Sequence, residues 1–305
     1  MMPKTETWLL PLCAVACIVS TVYGHGRMIL PPSRASAWRL GVPGAPVDYN
    51  DNQGFCGGAS HQHDKNGGKC GLCGDPYDQA PPRDHERPDG KYVMATDFIL
   101  STFREGEIMT ASVQLTAAHL GYFEFYLCNV DTLANPVEAT LECLHQHKLF
   151  NLETNSFQYD RDLSAAKTHE IKLQLPAGLT CNHCVLQWRY RTGNTWKNGC
   201  LGCGGQEEFY ACSDLRITSG DGSLPTTPSP TAIPTTARPP VNTTPSYIPP
   251  QVDPYPLSEE DKEFFLCNYC YREIFENGLT SMAQIPQVCL DAGFPYRMCS
   301  RLGKK

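Results

Sequence analysis

One of the chain's nine histidines, His25, directly follows a leader-like segment. The chain opens with Lys4, then an apolar run from Trp8 to Val19, then small or weakly polar residues ending Val22-Tyr23-Gly24. That is the pattern of a secretory signal peptide cleaved after Gly24. The run is shorter than the roughly 20 apolar residues a membrane span needs, so a secreted, extracellular product without a membrane anchor is expected. Cleavage there would put an α-amino group and an imidazole on the same backbone atom of His25. The amine titrates near about 8 and the imidazole near about 6.5, and a metal that prefers them favours their neutral forms at lower pH still. A third nitrogen from another histidine would complete a T-shaped site, and tetragonal nitrogen coordination selects copper among the common metals. Signal peptidase can expose many residue types, so an N-terminal histidine by itself is equally an accident of processing.

The other histidines differ in context. His119 lies in Leu115-Thr116-Ala117-Ala118-His119-Leu120-Gly121, on a turn between two predicted strands. His61, His63 and His85 lie among Gly, Asp and Pro and read as surface groups, although a His-x-His pair such as His61/His63 can bind a metal. His145 and His147 form a second such pair on a charged stretch and read as solvated. His169 and His183 carry no supporting pattern.

These candidates need a scaffold. Runs with strand character recur at Tyr92–Met94, Ile108–Leu115, Tyr122–Leu127, Glu170–Leu175, Val185–Tyr190 and Phe209–Ile217, separated by Gly, Pro and Asn. Short strands with such turns predict an all-β, immunoglobulin/fibronectin-like sandwich over residues 25–218. The aperiodic stretch from Pro31 to Pro88 is expected to be a long loop region held by Cys56, Cys70 and Cys73.

The chain has 16 cysteines, and loss of Cys13 and Cys17 with the leader leaves 14 for an oxidising compartment. The ten from Cys56 to Cys212 are expected to form five disulfides, with Cys128–Cys143 the best single pairing because it would close the loop after one strand. Structural zinc is the rival for the C-x-x-C pairs, and the leader favours disulfides.

Residues 219–251 are rich in Pro and Thr and include the sequon at Asn242, the mark of an extended, glycosylated linker. Residues 252–305 form a small, partly helical module whose Cys267, Cys270, Cys289 and Cys299 should make two disulfides. The formal charge of -7 lacks the clustered basic face that nucleic acid requires, so a monomer with an uncharged partner is expected.

From His25-Gly26-Arg27-Met28 through Cys56-Gly57-Gly58, Cys70-Gly71-Leu72-Cys73-Gly74-Asp75, the His119 motif, Cys181-Asn182-His183-Cys184 and Gln206-Glu207-Glu208-Phe209-Tyr210-Ala211-Cys212, the chain resembles the lytic polysaccharide monooxygenases of auxiliary activity family 15. The resemblance covers residues 25–218. It implies one copper ion held by His25 and His119, with Phe209 at the axial position, three residues before Cys212. Tyr210 is the alternative if a bulge exchanges the two faces of the strand. Glu207, two residues before Phe209, would contact the co-substrate, or else be a solvent-exposed strand-end carboxylate. Ala117 and Ala118 are small enough to leave room there.

The implied activity is oxidative cleavage of an insoluble polysaccharide, chitin first and cellulose second. It would proceed by hydroxylation at C1 or C4, using an external electron donor and hydrogen peroxide or dioxygen. Trp38, Tyr49 and Tyr77 could add stacking contacts on a flat substrate face. Two alternatives stand beside this reading: a non-catalytic copper-binding or polysaccharide-binding protein, and a disulfide-rich structural protein in which His25 is incidental.

Overall fold

Two four-stranded sheets face one another in a computed structural model that describes residues 25–94 and 98–220. The leader, the linker with Asn242 and the four-cysteine module lie outside the described residues, apart from Ser219 and Gly220. In chain order the strands are β1 (His25–Leu30), β2 (Ser101–Arg104), β3 (Ile108–Ala117), β4 (Tyr122–Asn129), β5 (Phe150–Asn151), β6 (Thr168–Gln174), β7 (Cys181–Arg191), β8 (Trp196–Lys197), β9 (Cys200–Leu201) and β10 (Glu208–Thr218). One sheet has the order β1-β3-β6-β5 and the other β2-β10-β7-β4, while β8 and β9 form a separate hairpin. All pairings are antiparallel except β10 with β2. The expected immunoglobulin-like sandwich is what forms.

The burial of each strand follows its surroundings. β6 alternates cleanly, with His169, Ile171 and Leu173 inside and Glu170 and Lys172 outside, as a half-buried strand should. β4 and β7 are buried on both faces over most of their length, and therefore read as apolar runs. One face joins the main core of Phe123, Phe125, Trp188, Tyr190 and Phe209. The other lies under a second cluster containing Cys73, Val130, Leu144, Val185 and Cys212.

Five disulfides form within the sandwich: Cys56–Cys70, Cys73–Cys212, Cys128–Cys143, Cys181–Cys184 and Cys200–Cys203. The expected Cys128–Cys143 pair is among them. Cys70 and Cys73 take different partners, so that C-x-x-C spacing marks no zinc knuckle.

Buried ion pairs rather than strands hold the region from Pro31 to Pro88. Arg34 makes a two-pronged contact with Asp214 of β10 at 2.9 and 2.8 Å and also reaches Glu138 at 2.6 Å. Arg87 and His183 meet the same Asp214 carboxylate at 3.2 and 2.8 Å. Burial alone would raise the Asp214 pKa, but the charge and hydrogen bonds of Arg34, with His183 and Arg87, hold it well below the usual carboxylate range. Asp51 is enclosed in the same way by Arg27 and Arg39.

Two expectations are corrected. Tyr92-Val93-Met94 is not a strand: the Tyr92 amide donates to Asp84 O at 2.8 Å and its ring stacks on His85 at 4.8 Å, so these apolar atoms cover a turn. His85 is not a surface group either. Its ring nitrogens meet Asp75 at 2.8 Å and Asp48 at 3.2 Å, and its side chain is only 14% exposed. Among the described residues no helix is long and apolar enough to cross a membrane.

Burial alone would lower the His85 pKa, but hydrogen bonds to Asp48 and Asp75 and their charges raise it to about 9. A raised imidazolium contributes stability fully below the unfolded value of about 6.5 and loses it as pH climbs through the folded value. Thermal midpoints measured between about pH 6 and pH 10 should therefore fall across this window in the native protein, and His85→Gln should flatten that part of the profile. Identical profiles would show that the imidazolium contributes nothing.

Candidate metal centre

The two strands that begin and end at one edge of the first sheet bring His25 and His119 together. β1 runs antiparallel to β3 with His25 opposite Ala117, and the ladder shifts register between His25 and Gly26. The Gly26 amide donates to Asn52 O at 3.1 Å, and Asn52 Nδ2 donates to Thr116 Oγ1 at 2.9 Å, which ties the start of β1 to the end of β3. His119 follows two residues after β3 and is buried, at 7% exposure.

The turn that carries His119 is fixed from the other sheet. The Tyr190 hydroxyl on β7 accepts from the His119 amide at 2.9 Å and donates to Leu120 O at 2.8 Å. His119 O in turn accepts from the Gly193 amide at 2.8 Å. Gly121 has a φ of +87°, and a Cβ on it would lie 2.0 Å from Arg191 O, so the chain passes too close to β7 for any side chain.

Phe209 is fully buried, its ring 6.4 Å from His25, 6.2 Å from Phe55 and 5.8 Å from Tyr190. The ladder between β10 and β7 is regular from Glu208 to Leu215, with no bulge to exchange the faces. Tyr210 accordingly points the other way, donating to Glu208 Oε2 at 2.6 Å. Glu207 is buried at 7% exposure, not a solvated strand-end carboxylate, and its Oε2 lies 4.0 Å from His119 Nδ1.

Other histidines are engaged elsewhere. His61 meets Asp78 at 2.6 Å, His63 meets Gln206 O at 2.6 Å, and His183 belongs to the Asp214 cluster. His169 is buried against Phe123 and Tyr159, and burial, with Lys167 second, lowers it to about 4. Of the expected stacking residues, Trp38 packs edge-on to Tyr49 and donates to Asp48 O at 3.0 Å. Tyr77 is exposed.

The sequence reading missed Tyr190, Asn52 and the β8–β9 hairpin. Only the hairpin carried a local signal, Asn198-Gly199.

The donor chemistry fits a nitrogen-preferring metal. Burial, and after it the charge of His25, lowers the His119 pKa and so favours the neutral imidazole that can donate to a metal. Among the described residues no group of three or more His, Cys, Asp or Glu side chains could hold a metal. The α-nitrogen of His25, on the same residue as one of the two imidazoles, would be the third nitrogen donor. Two imidazoles with one amine suit copper better than magnesium or calcium, which prefer oxygen.

Residues 25–215 match the family described as lytic polysaccharide mono-oxygenase, cellulose-degrading. Among solved structures, the AA15 lytic polysaccharide monooxygenase from Thermobia domestica in the Cu(I) state is similar at 37% identity and a TM-score of 0.58, over 64% of this chain and 99% of that one. An AA10 lytic polysaccharide monooxygenase from Streptomyces lividans is 19% identical, with a TM-score of 0.43 over 63% and 99%. A chitin binding domain from Burkholderia pseudomallei is 17% identical, with a TM-score of 0.40 over 64% and 100%. No curated protein matches the chain.

Tyr190→Phe would leave the His119 amide and the Leu120 carbonyl without their shared partner, at a cost of about 1–3 kcal/mol in denaturant unfolding. An unchanged midpoint would show that the hydroxyl does not hold this turn.

Proposed function

The chain belongs to the lytic polysaccharide monooxygenase family, and from that premise we propose that its catalytic domain spans residues 25–218 and holds one copper ion through His25 and His119. The protein is a copper-dependent monooxygenase that acts oxidatively on polysaccharide with an external reductant. The pairing of His25 with Ala117, two residues before His119, is the observation that carries the site assignment.

Residues 1–24 are a signal peptide in this reading, and cleavage after Gly24 supplies the α-amine as the third nitrogen. Secretion accords with the five disulfides. When bound, copper supplies the one-electron redox chemistry that, with hydrogen peroxide or dioxygen, leads to hydroxylation at C1 or C4 of the glycosidic linkage. The protein's own groups do the rest. Tyr190 and Gly193 fix the His119 backbone. Phe209 would offer the metal site a ring and no donor atom, and its burial would keep water from that side. Glu207 presents a buried carboxylate beside His119, suited to hold or orient a proton on the co-substrate.

The substrate is an insoluble polysaccharide. Chitin is the first choice and cellulose, which the family description names, the second. Residues 219–251 serve as a linker, and residues 252–305 as a module dispensable for the copper chemistry.

The test uses the mature protein beginning at His25. Loaded with copper and given ascorbate with chitin or cellulose, it should release oxidised oligosaccharides identifiable by mass spectrometry. One extra residue ahead of His25, or His119→Ala, should each weaken copper binding by about 100-fold or more, beyond what loss of an outer partner costs. Sub-micromolar affinity surviving both changes would overturn the assignment.

A further inference from the structure

Two disulfides of the described residues share the C-x-x-C spacing and differ in their surroundings. Cys181–Cys184 and Cys200–Cys203 each have a sequence separation of 3. Cys181 and Cys184 lie fully buried in the main core. Cys200 and Cys203 are both partly exposed, and the residues around them, 194–199 and Leu201, are exposed. Of the five described pairs, this is the one in which neither cysteine is buried. Access for an attacking thiolate governs disulfide exchange, and exposed pairs are the labile ones. Positive charge flanks the same pair. Lys197 is paired with Cys200 across the hairpin, so their side chains share a face. Arg191 donates to Gly202 O at 3.3 Å and to Gly204 O at 2.7 Å, on either side of Cys203. Glu208, 3.9 Å from Arg191, offsets part of that charge. Nearby cations stabilise a departing cysteine thiolate.

The loop that this disulfide closes is stacked on the histidine turn. A Cβ on Gly202 would lie 3.3 Å from Gly193 O and 3.5 Å from Gly193 Cα, and a Cβ on Gly193 would lie 2.9 Å from Gly121 N. Backbone therefore packs on backbone from Gly202 through Gly193 to Gly121. Hydrogen bonds follow the same line: the Gly202 amide donates to Thr195 O at 3.0 Å, and the Gly193 amide to His119 O at 2.8 Å. Gln206, fully buried, donates to Cys203 O at 2.6 Å and to Thr195 O at 3.0 Å. Closing so short a loop adds little to global stability, in contrast to Cys73–Cys212 with its separation of 139, so the sandwich should outlast its opening.

We propose that Cys200–Cys203 is a thiol-exchange site, opened by a small external thiol while the other four disulfides of the sandwich stay closed, and that its opening loosens the turn that carries His119. The thiolate of the external thiol attacks one sulfur of the pair. The S–S bond breaks, its electron pair leaves with the other cysteine, and a mixed disulfide forms. A second external thiol attacks that mixed disulfide, and the products are Cys200 and Cys203 as thiols and one external disulfide. Two thiols have then given two electrons to the pair, and their protons end on the two cysteines. An external reductant is already part of the activity, and a thiol is a reductant that also exchanges with an accessible disulfide. The consequence for copper rests on the reading of His25 and His119 as its ligands; the exchange itself does not.

The test uses the mature protein, residues 25–305, kept free of copper because copper oxidises thiols. The folded protein is held in dilute glutathione, free thiols are trapped by alkylation at intervals, and the labelled peptides are identified by mass spectrometry. Cys200 and Cys203 should be labelled about 100-fold faster than Cys181 and Cys184, since a buried pair is reached only through an opening of the core. Lys197→Gln should slow that labelling about threefold, the size of an exposed charge's effect. Hydrogen exchange at the Gly193 amide should rise about tenfold in the reduced protein and in the Cys200→Ser/Cys203→Ser variant alike, with the thermal midpoint little changed. Equal labelling of the two C-x-x-C pairs, or a Cys200–Cys203 bond that opens only on unfolding, would overturn the exchange site. Labelling of Cys200 and Cys203 with unchanged exchange at Gly193 would overturn its link to the histidine turn. Preferential labelling in a protein that, when oxidised, binds no copper would uphold the exchange site and remove the copper reading instead.

Discussion

The antiparallel pairing of β1 with β3 is the constraint from which the rest of the site follows. It brings the first residue of β1 level with the last residue of β3, and so puts His25 within two residues of His119 along the neighbouring strand. Neither strand can hold that geometry alone, because His119 stands beyond the ladder on a turn. The turn is held by Tyr190, which belongs to the opposite sheet, and by the close approach of Gly121 to Arg191. The two sheets must therefore be packed before the two imidazoles can take up the proposed site. The fully buried Trp188, Tyr190 and Phe209 between them are both core and support for the site.

Charge burial extends this order to a region with almost no regular structure. Asp214 on β10 gathers Arg34, Arg87 and His183, and Asp51 gathers Arg27 and Arg39. Such clusters give little net stability, because desolvation offsets the attraction, but removing one partner leaves a buried charge and costs about 3–5 kcal/mol. They tie the loop to β1 through Arg27 and to β10 through Asp214. That arrangement delivers Asn52 to the Gly26 amide and Phe55 to the face of Phe209. The backing of the proposed copper site is therefore tied to salt bridges, one of which starts from Arg27, two residues after His25.

What the sequence disclosed follows from the range of each interaction. β3, β4, β6, β7 and β10 were legible because alternation or continuous apolarity is a local property. Tyr92–Met94 carries the same composition, yet its ring covers His85, and composition alone could not tell a cap from a strand. The Cys73–Cys212 bond joins residues 139 apart and had no local trace, whereas Cys128–Cys143 closes a loop of 15. His25 was suggested by its place after the leader, whereas His119, Glu207 and Phe209 were named only because the motifs around them resemble a known family. Tyr190 was hidden because a tyrosine in an apolar run reads as core, and its hydroxyl acquires a role only when the facing turn arrives. His85 was misread for the same reason, since its partners Asp48 and Asp75 lie 37 and 10 residues away.

The hydrogen bonds between the root of the β8–β9 hairpin and the histidine turn couple the two elements. Gly193, which leads into the hairpin, donates to the carbonyl of His119, and Thr192 donates to the carbonyl of Glu207. Displacing the hairpin therefore means breaking hydrogen bonds that also set the His119 and Glu207 backbones. With Gln206 and the Cys200–Cys203 bond closing its root, the hairpin is tied by short-range bonds to the turn that carries His119, so the geometry of the proposed site depends on this segment as well as on Tyr190.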